Sequence, residues 1–139
     1  MELEELLTVH IQLNETITLD NNKGDSVVMI TFKGHATGNY FNGEIQEGGV
    51  DTQIINKSSG HHTLSARYII DGTDYTGALC KIFIENNGNA KSNCKDVLFQ
   101  THPKIITNSE ALAFLNGAAL VAEAVEAENG LQIRIYRLI

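Results

Sequence analysis

Asp51 and Arg67 are the residues whose types and spacing could do chemistry together. Asp51 closes the turn Gly48-Gly49-Val50-Asp51, and Arg67 lies inside the run LSARYII from Leu64 to Ile70. On adjacent strands a carboxylate and a guanidinium can form a bidentate bridge. Such a bridge can simply pin a β-wall. It can also set Arg67 against an anionic or carbonyl group of a ligand while Asp51 orients that ligand or takes a proton. Glu44 is a further acid-base candidate. His35, beside the Gly-rich stretch 38–43, reads either as a general base at a barrel mouth or as a surface histidine. Tyr40, Phe41, Tyr68 and Phe83 could line a site for a small apolar ligand, or fill a core without one.

Other chemistries find less support. Five histidines are spread along the chain, and adjacent His61 and His62 would point to opposite faces of a strand. No His-x-His or Cys-x-x-Cys spacing occurs, so no metal site is expected. Gly38, Gly43, Gly48 and Gly49 lack the Gly-Lys-Ser/Thr of a phosphate loop, there is no Gly-x-Ser-x-Gly elbow, and no cofactor is expected. With 10 basic and 17 acidic residues the net charge is −7, and no basic patch is present. Nucleic acid and anionic membrane are therefore not expected partners. The acidic start MELEELL has no signal-peptide layout, and no run approaches the ~18 apolar residues of a membrane span. A cytoplasmic address is expected. Cys80, in an apolar run, reads as a buried free thiol; whether it meets Cys94 is not decided by spacing.

The elements that must position these residues are strands. Leu7, Val9, Ile11 and Leu13 alternate with polar residues, the period of a strand with one buried face. Val27 to Ala36 is rich in β-branched and aromatic residues, with a bulge or bend expected at Gly34. Short strands follow at 41–46 and 52–56, separated by the Gly48-Gly49 reversal. Thr63 to Ile70 is a strand whose alternation sends Tyr68 inward and Arg67 to the polar face, so a ligand role for Arg67 requires a bulge. Asp71-Gly72 reads as a hairpin turn, and Tyr75 to Glu85 returns to end at Asn86-Asn87-Gly88. Asp96 to Phe99 is a further short strand before His102-Pro103. Residues 109–115 read as one short helix capped by Asn108 or Ser109. Residues 119–127 are helix-prone by composition, yet Asn129-Gly130 and the alternating Leu131, Ile133 and Ile135 demand a hairpin, so they are assigned as strand.

The expected fold is all-β: a single domain over residues 1–139, formed as a closed up-and-down antiparallel barrel of about eight to nine strands with one short helix. At 139 residues the chain can bury roughly 68% of its unfolded surface without a metal or disulfide. A barrel of about eight strands holds packed side chains or one small ligand.

The motifs Phe41-Asn42-Gly43, Gly48-Gly49-Val50-Asp51, Ala66-Arg67-Tyr68 and Ile82-Phe83-Ile84-Glu85-Asn86-Asn87-Gly88, with Ala113-Phe114-Leu115-Asn116 further on, resemble an uncharacterised small β-barrel family, number three-two-three-seven among the domains of unknown function. The resemblance implies a lipocalin-like barrel with a lumen, often self-associated, and some relatives look like cofactor-free cyclases. The family usually has Trp where this chain has Thr52, so a ligand wall built on that Trp would differ here. Two function classes stay open. One is a small-molecule-binding barrel, capable of cofactor-free cyclisation or isomerisation of an apolar or aromatic carbonyl compound through Asp51, Arg67 and Glu44. The other is a packed structural or interaction module that self-associates as a homo-oligomer.

Overall fold

Alternation of apolar and polar residues carries nearly every element. The computed structural model describes residues 2–90 and 99–139. Its strands are β1 (Leu3–Asp20), β2 (Asp25–Thr37), β3 (Phe41–Ile45), β4 (Val50–Asn56), β5 (His62–Asp74), β6 (Leu79–Ala90), β7 (Phe99–Thr101), β8 (Lys104–Thr107), β9 (Leu120–Ala127) and β10 (Gly130–Leu138), all paired antiparallel. Eight of them close a ring in the order β1-β2-β4-β5-β6-β7-β9-β10. The expected barrel is present.

The two remaining strands lengthen the wall. β3 spans β2 and β5 beyond the end of β4, pairing Ala36 with Gly43 and Gly43 with Gly72. β8 continues along β6 past the end of β7.

Several boundaries differ from the sequence expectation. β5 does not turn at Asp71-Gly72 but runs on to Asp74, and the reversal falls at residues 75–78, with Asp74 N–H bonded to Ala78 O. Gly72 serves a close crossing, since a Cβ there would stand 2.0 Å from Asn42 O. β6 likewise continues through Asn86-Asn87-Gly88, where a Cβ on Gly88 would meet Thr101 at 2.7 Å. The expected helix contracts to a single 3-10 turn, Ala113–Leu115. Ser109 Oγ accepts the Leu112 N–H at 3.1 Å there. The expected strand at 96–99 lies outside the described residues except for Phe99, which opens β7, and Cys94 also lies outside them. Cys80 is a buried free thiol.

Inward residues of the strands form one core. A bulge between Glu5 and Leu7 turns both Leu6 and Leu7 inward. Val9, Phe41, Ile70, Ile82, Ile84, Ile105 and Ile135 are fully buried, and Leu112 and Leu115 join them from the 109–115 segment. Asp74 anchors that segment by accepting from Ser109 Oγ at 2.7 Å, and it accepts from Thr76 N–H and Ala78 N–H as well. The Thr76 hydroxyl first, then that of Ser109, hold its carboxyl down to about 2. This end of the barrel is solid. The other end is not.

Candidate functional site

The lumen opens where small and polar side chains replace large apolar ones on one side of the wall. Asp51 on β4, Ala66 on β5 and Asn86 on β6 are successive register partners, and all three border an internal cavity. Thr101 on β7 extends this polar wall. Ile11, Leu13, Leu131 and Ile133 of β1 and β10 make the opposite, apolar side, and Phe32 and Leu64 contribute to the lining. Water molecules can place their centres in about 40 Å³ of it, against the ~10–15 Å³ that one water needs. Half-exposed Leu13 stands at its mouth.

Asp51 is the acid of the site. Its Oδ2 accepts from Gln53 Nε2 at 2.8 Å, and Gln53 Oε1 lies 2.7 Å from His62 Nε2. Its Oδ1 is buried with no hydrogen-bond partner among the described residues. Burial pushes the carboxyl above the ordinary aspartate range, opposed by the Gln53 hydrogen bond and by the charge of His62. Desolvation wins because an ion in an apolar wall loses its water before anything replaces it. The outcome is a carboxyl that holds its proton to higher pH than an exposed aspartate does and is a stronger base once ionised.

Arg67 is elsewhere. It is Asp51's neighbour in sequence order of strands but has the opposite parity, and its side chain is 64% exposed. It points outward and pairs with Glu85 at 2.8 Å, its register partner on β6. No bulge shifts β5, so the Asp51–Arg67 bridge does not form and Arg67 does not reach the lumen.

The other expected residues divide. Tyr68 is inward and buried, edge-on to Phe32 at 5.2 Å, and burial raises its phenol strongly while its hydroxyl has no partner among the described residues. Phe41 fills the solid end. Glu44 and His35 are exposed register partners on the outer face. His35 stacks on His10 there, with ring centroids 4.6 Å apart. Phe83 has the parity of outward Arg67 and Ile69, and Tyr40 gives its hydroxyl to Glu4 at the rim at 2.7 Å. Of the expected set, Asp51 alone borders the cavity.

Asn86, Thr101 and Ala66 had not been expected there. Asn86 reads in sequence as part of a turn, yet it continues the even-numbered series Ile82, Ile84, which the core receives. That parity was the available signal. Among the described residues no group of three His, Cys, Asp or Glu side chains could hold a metal. No helix among them is long and apolar enough to cross a membrane.

The fold and lumen define an antiparallel β-barrel with an acid-bearing internal cavity. The chain belongs to the family described as "Protein of unknown function (DUF3237)", whose model matches residues 1–138. A UPF0311 protein from Clostridium acetobutylicum is 38% identical over 90 residues, 63% of this chain and 54% of that protein. The match thus spans about half the length of that relative. A crystal structure of a protein with unknown function from Clostridium acetobutylicum aligns over 100% of both chains at 27% identity and a TM-score of 0.83. A crystal structure described as that of an enzyme from Penicillium herquei aligns over 99% of this chain and 94% of its own, at 16% identity and a TM-score of 0.77. That last likeness is one of fold.

Proposed function

We propose that the barrel binds a small, largely apolar carbonyl compound in its lumen and that Asp51 serves as the acid-base group toward it. The observation that carries this reading is the buried, unpaired Oδ1 of Asp51 at the edge of an apolar cavity. Leaving a buried polar atom unpaired costs about 1–3 kcal/mol; Oδ1 has almost no accessible surface, so a ligand hydroxyl, or a carbonyl facing the protonated acid, recovers that cost by entering beside it as the lining side chains shift. The reaction class supported is cofactor-free isomerisation or cyclisation by proton transfer, and the likeness of fold to a protein described as an enzyme is compatible with it. Arg67 and Glu44 have no part in this reading.

A thermal-shift series with small cyclic and aromatic ketones tests it, using the wild-type chain beside Ala66→Leu and Asp51→Asn. A ligand that binds only the folded state raises the melting temperature by mass action. The rise should vanish in Ala66→Leu, which fills the cavity, and shrink in Asp51→Asn. An unchanged rise in Ala66→Leu would place the ligand outside the lumen.

The second reading, a self-associating module, is favoured by one feature of the outer surface. Beyond Ile11, β1 pairs among the described residues with β2 alone. Ile17, Leu19, Met29 and Ile54 are exposed on one face of that sheet, with Ile17 opposite Met29. Apolar patches of this kind recruit other chains. Light scattering on the wild type and on Ile17→Lys tests for an oligomer that the charge dissociates.

A further inference from the structure

Across Ala66 from Asp51, Asn86 is 2% exposed and borders the same cavity. Its Oδ1 accepts from Thr101 Oγ1 at 3.0 Å. An amide whose oxygen is engaged in this way still has two N–H donors to give. Asn86 is one of the residues that line the cavity, and its N–H groups are the donors it has left to offer there. The small side chain of Ala66 keeps that cavity free between the acid and the amide. Their backbones are two strands apart, roughly 10 Å, and both side chains reach inward from a curved wall.

We propose that Asn86, held by Thr101, donates to the carbonyl oxygen of an enolisable ketone or ester in the lumen while Asp51 moves the proton of the adjacent carbon. The inference rests on the lumen-binding reading and on the role of Asp51 in it. In its carboxylate form Asp51 takes the proton from the carbon next to the carbonyl. The C–H electron pair becomes the C=C bond of an enolate, and the carbonyl π pair moves onto oxygen, where the Asn86 N–H groups hold it. Asp51 then returns the proton to the same carbon, or to the far end of a conjugated enolate. Return to the far end gives an isomer, return to the same carbon regenerates the substrate, and nothing is oxidised or reduced in either case. A donor fixed in a water-poor wall needs no reorganisation when the oxyanion forms, and removing one such donor costs about 10²–10³ in rate. The cavity, with about 40 Å³ open to water centres, takes one carbonyl-bearing edge of a ketone or ester while the rest of the molecule leaves by the mouth at Leu13.

The test is α-proton exchange of cyclopentanone and cyclohexanone in D2O, followed by NMR, with the melting temperature of the full chain measured alongside each ketone. Exchange should exceed the buffer rate, disappear in Asp51→Asn, and fall about 100-fold in Asn86→Leu. In Asn86→Leu the rise in melting temperature caused by the ketone should persist in part. Thr101→Val, which leaves the amide present but unheld, should lower exchange by a smaller factor; it decides the matter should Asn86→Leu fail to fold. If the ketones raise the melting temperature but exchange stays at the buffer rate, or if Asn86→Leu and Thr101→Val exchange as fast as wild type, this inference is overturned and lumen binding stands. If no ketone stabilises the protein and none exchanges, the lumen reading fails with it.

Discussion

Gly43 and Gly72 face each other where β3 crosses β5, and neither has room for a side chain: a Cβ on Gly43 would stand 2.6 Å from Asp71 O, and one on Gly72 2.0 Å from Asn42 O. These contacts are with backbone, which cannot swing aside. Gly72→Ala should therefore destabilise the protein by more than the ~1–3 kcal/mol typical of overpacking a core. Urea denaturation measures it. A loss under 1 kcal/mol would mean that the wall relaxes freely at this crossing.

Asp51 gives a pH signature. Burial raises its folded-state pKa above the ordinary value of 3.8. Below both values the acid is protonated whether folded or not, and it costs nothing. Above the folded value it is ionised inside the wall, and stability is lower by the difference. Asp51→Asn should thus raise the melting temperature at pH 7–8, with the gain shrinking as the pH falls toward 4. A gain that is flat with pH would show that the charge is not the cause.

Arg67→Ala should cost little, at most about 1 kcal/mol, because an exposed ion pair is screened and entropically expensive to hold. The Arg67–Glu85 pair is of this kind, with the Arg67 side chain 64% exposed. Ketone binding should be unchanged in this variant. A lost thermal shift would bring Arg67 back into the site.

Asp74 should behave oppositely to Asp51. Hydrogen bonds from Thr76 and Ser109 hold its folded-state pKa at about 2, below the ordinary 3.8. Its contribution is complete above the ordinary value and is lost as the pH falls through the interval down to about 2. Asp74→Asn should lower the melting temperature at pH 7 and differ much less from wild type near pH 2. Ser109→Ala should show a smaller version of the same trend, because it removes one of the four donors recorded on this carboxylate.

The barrel was legible because period-two alternation survives in β1, β5, β6 and β10, and because Asn129-Gly130 needed strands on both sides. Turn chemistry misled at Asp71-Gly72. A glycine that marks a hairpin and a glycine that lets two strands touch look alike in sequence, and only tertiary approach separates them. The parity of β5 correctly sent Tyr68 inward and Arg67 outward. The attraction of an Asp–Arg pair pulled against that count, and the count was right. Asp51 was legible as an acid. Its partners in the lumen were missed: Asn86 has the inward parity of Ile82 and Ile84 but sits in a run that reads as a turn, and Thr101 lies on a three-residue strand too short to show a period.

The outer wall offers the last prediction. His10 and His35 are register partners that stack 4.6 Å apart at an interplanar angle of 16°. Burial first, and the charge of His35 second, lower the pKa of His10 below its ordinary 6.5. The groups that flank the pair are Gln132 opposite His10, Glu44 opposite His35, and Thr37, whose hydroxyl lies 3.0 Å from His10 Nε2. Glu44 is a carboxylate beside His35, whereas the register partners of His10 are Gln132 and His35 itself. Folding then resists protonation of His10: stability is complete above 6.5 and declines as the pH falls through and below that value. His10→Gln should remove part of this decline, so that the variant loses less melting temperature than wild type between pH 7.5 and pH 5. NMR titration of the two rings checks the cause directly. A His10 ring that titrates at or above 6.5 would overturn it.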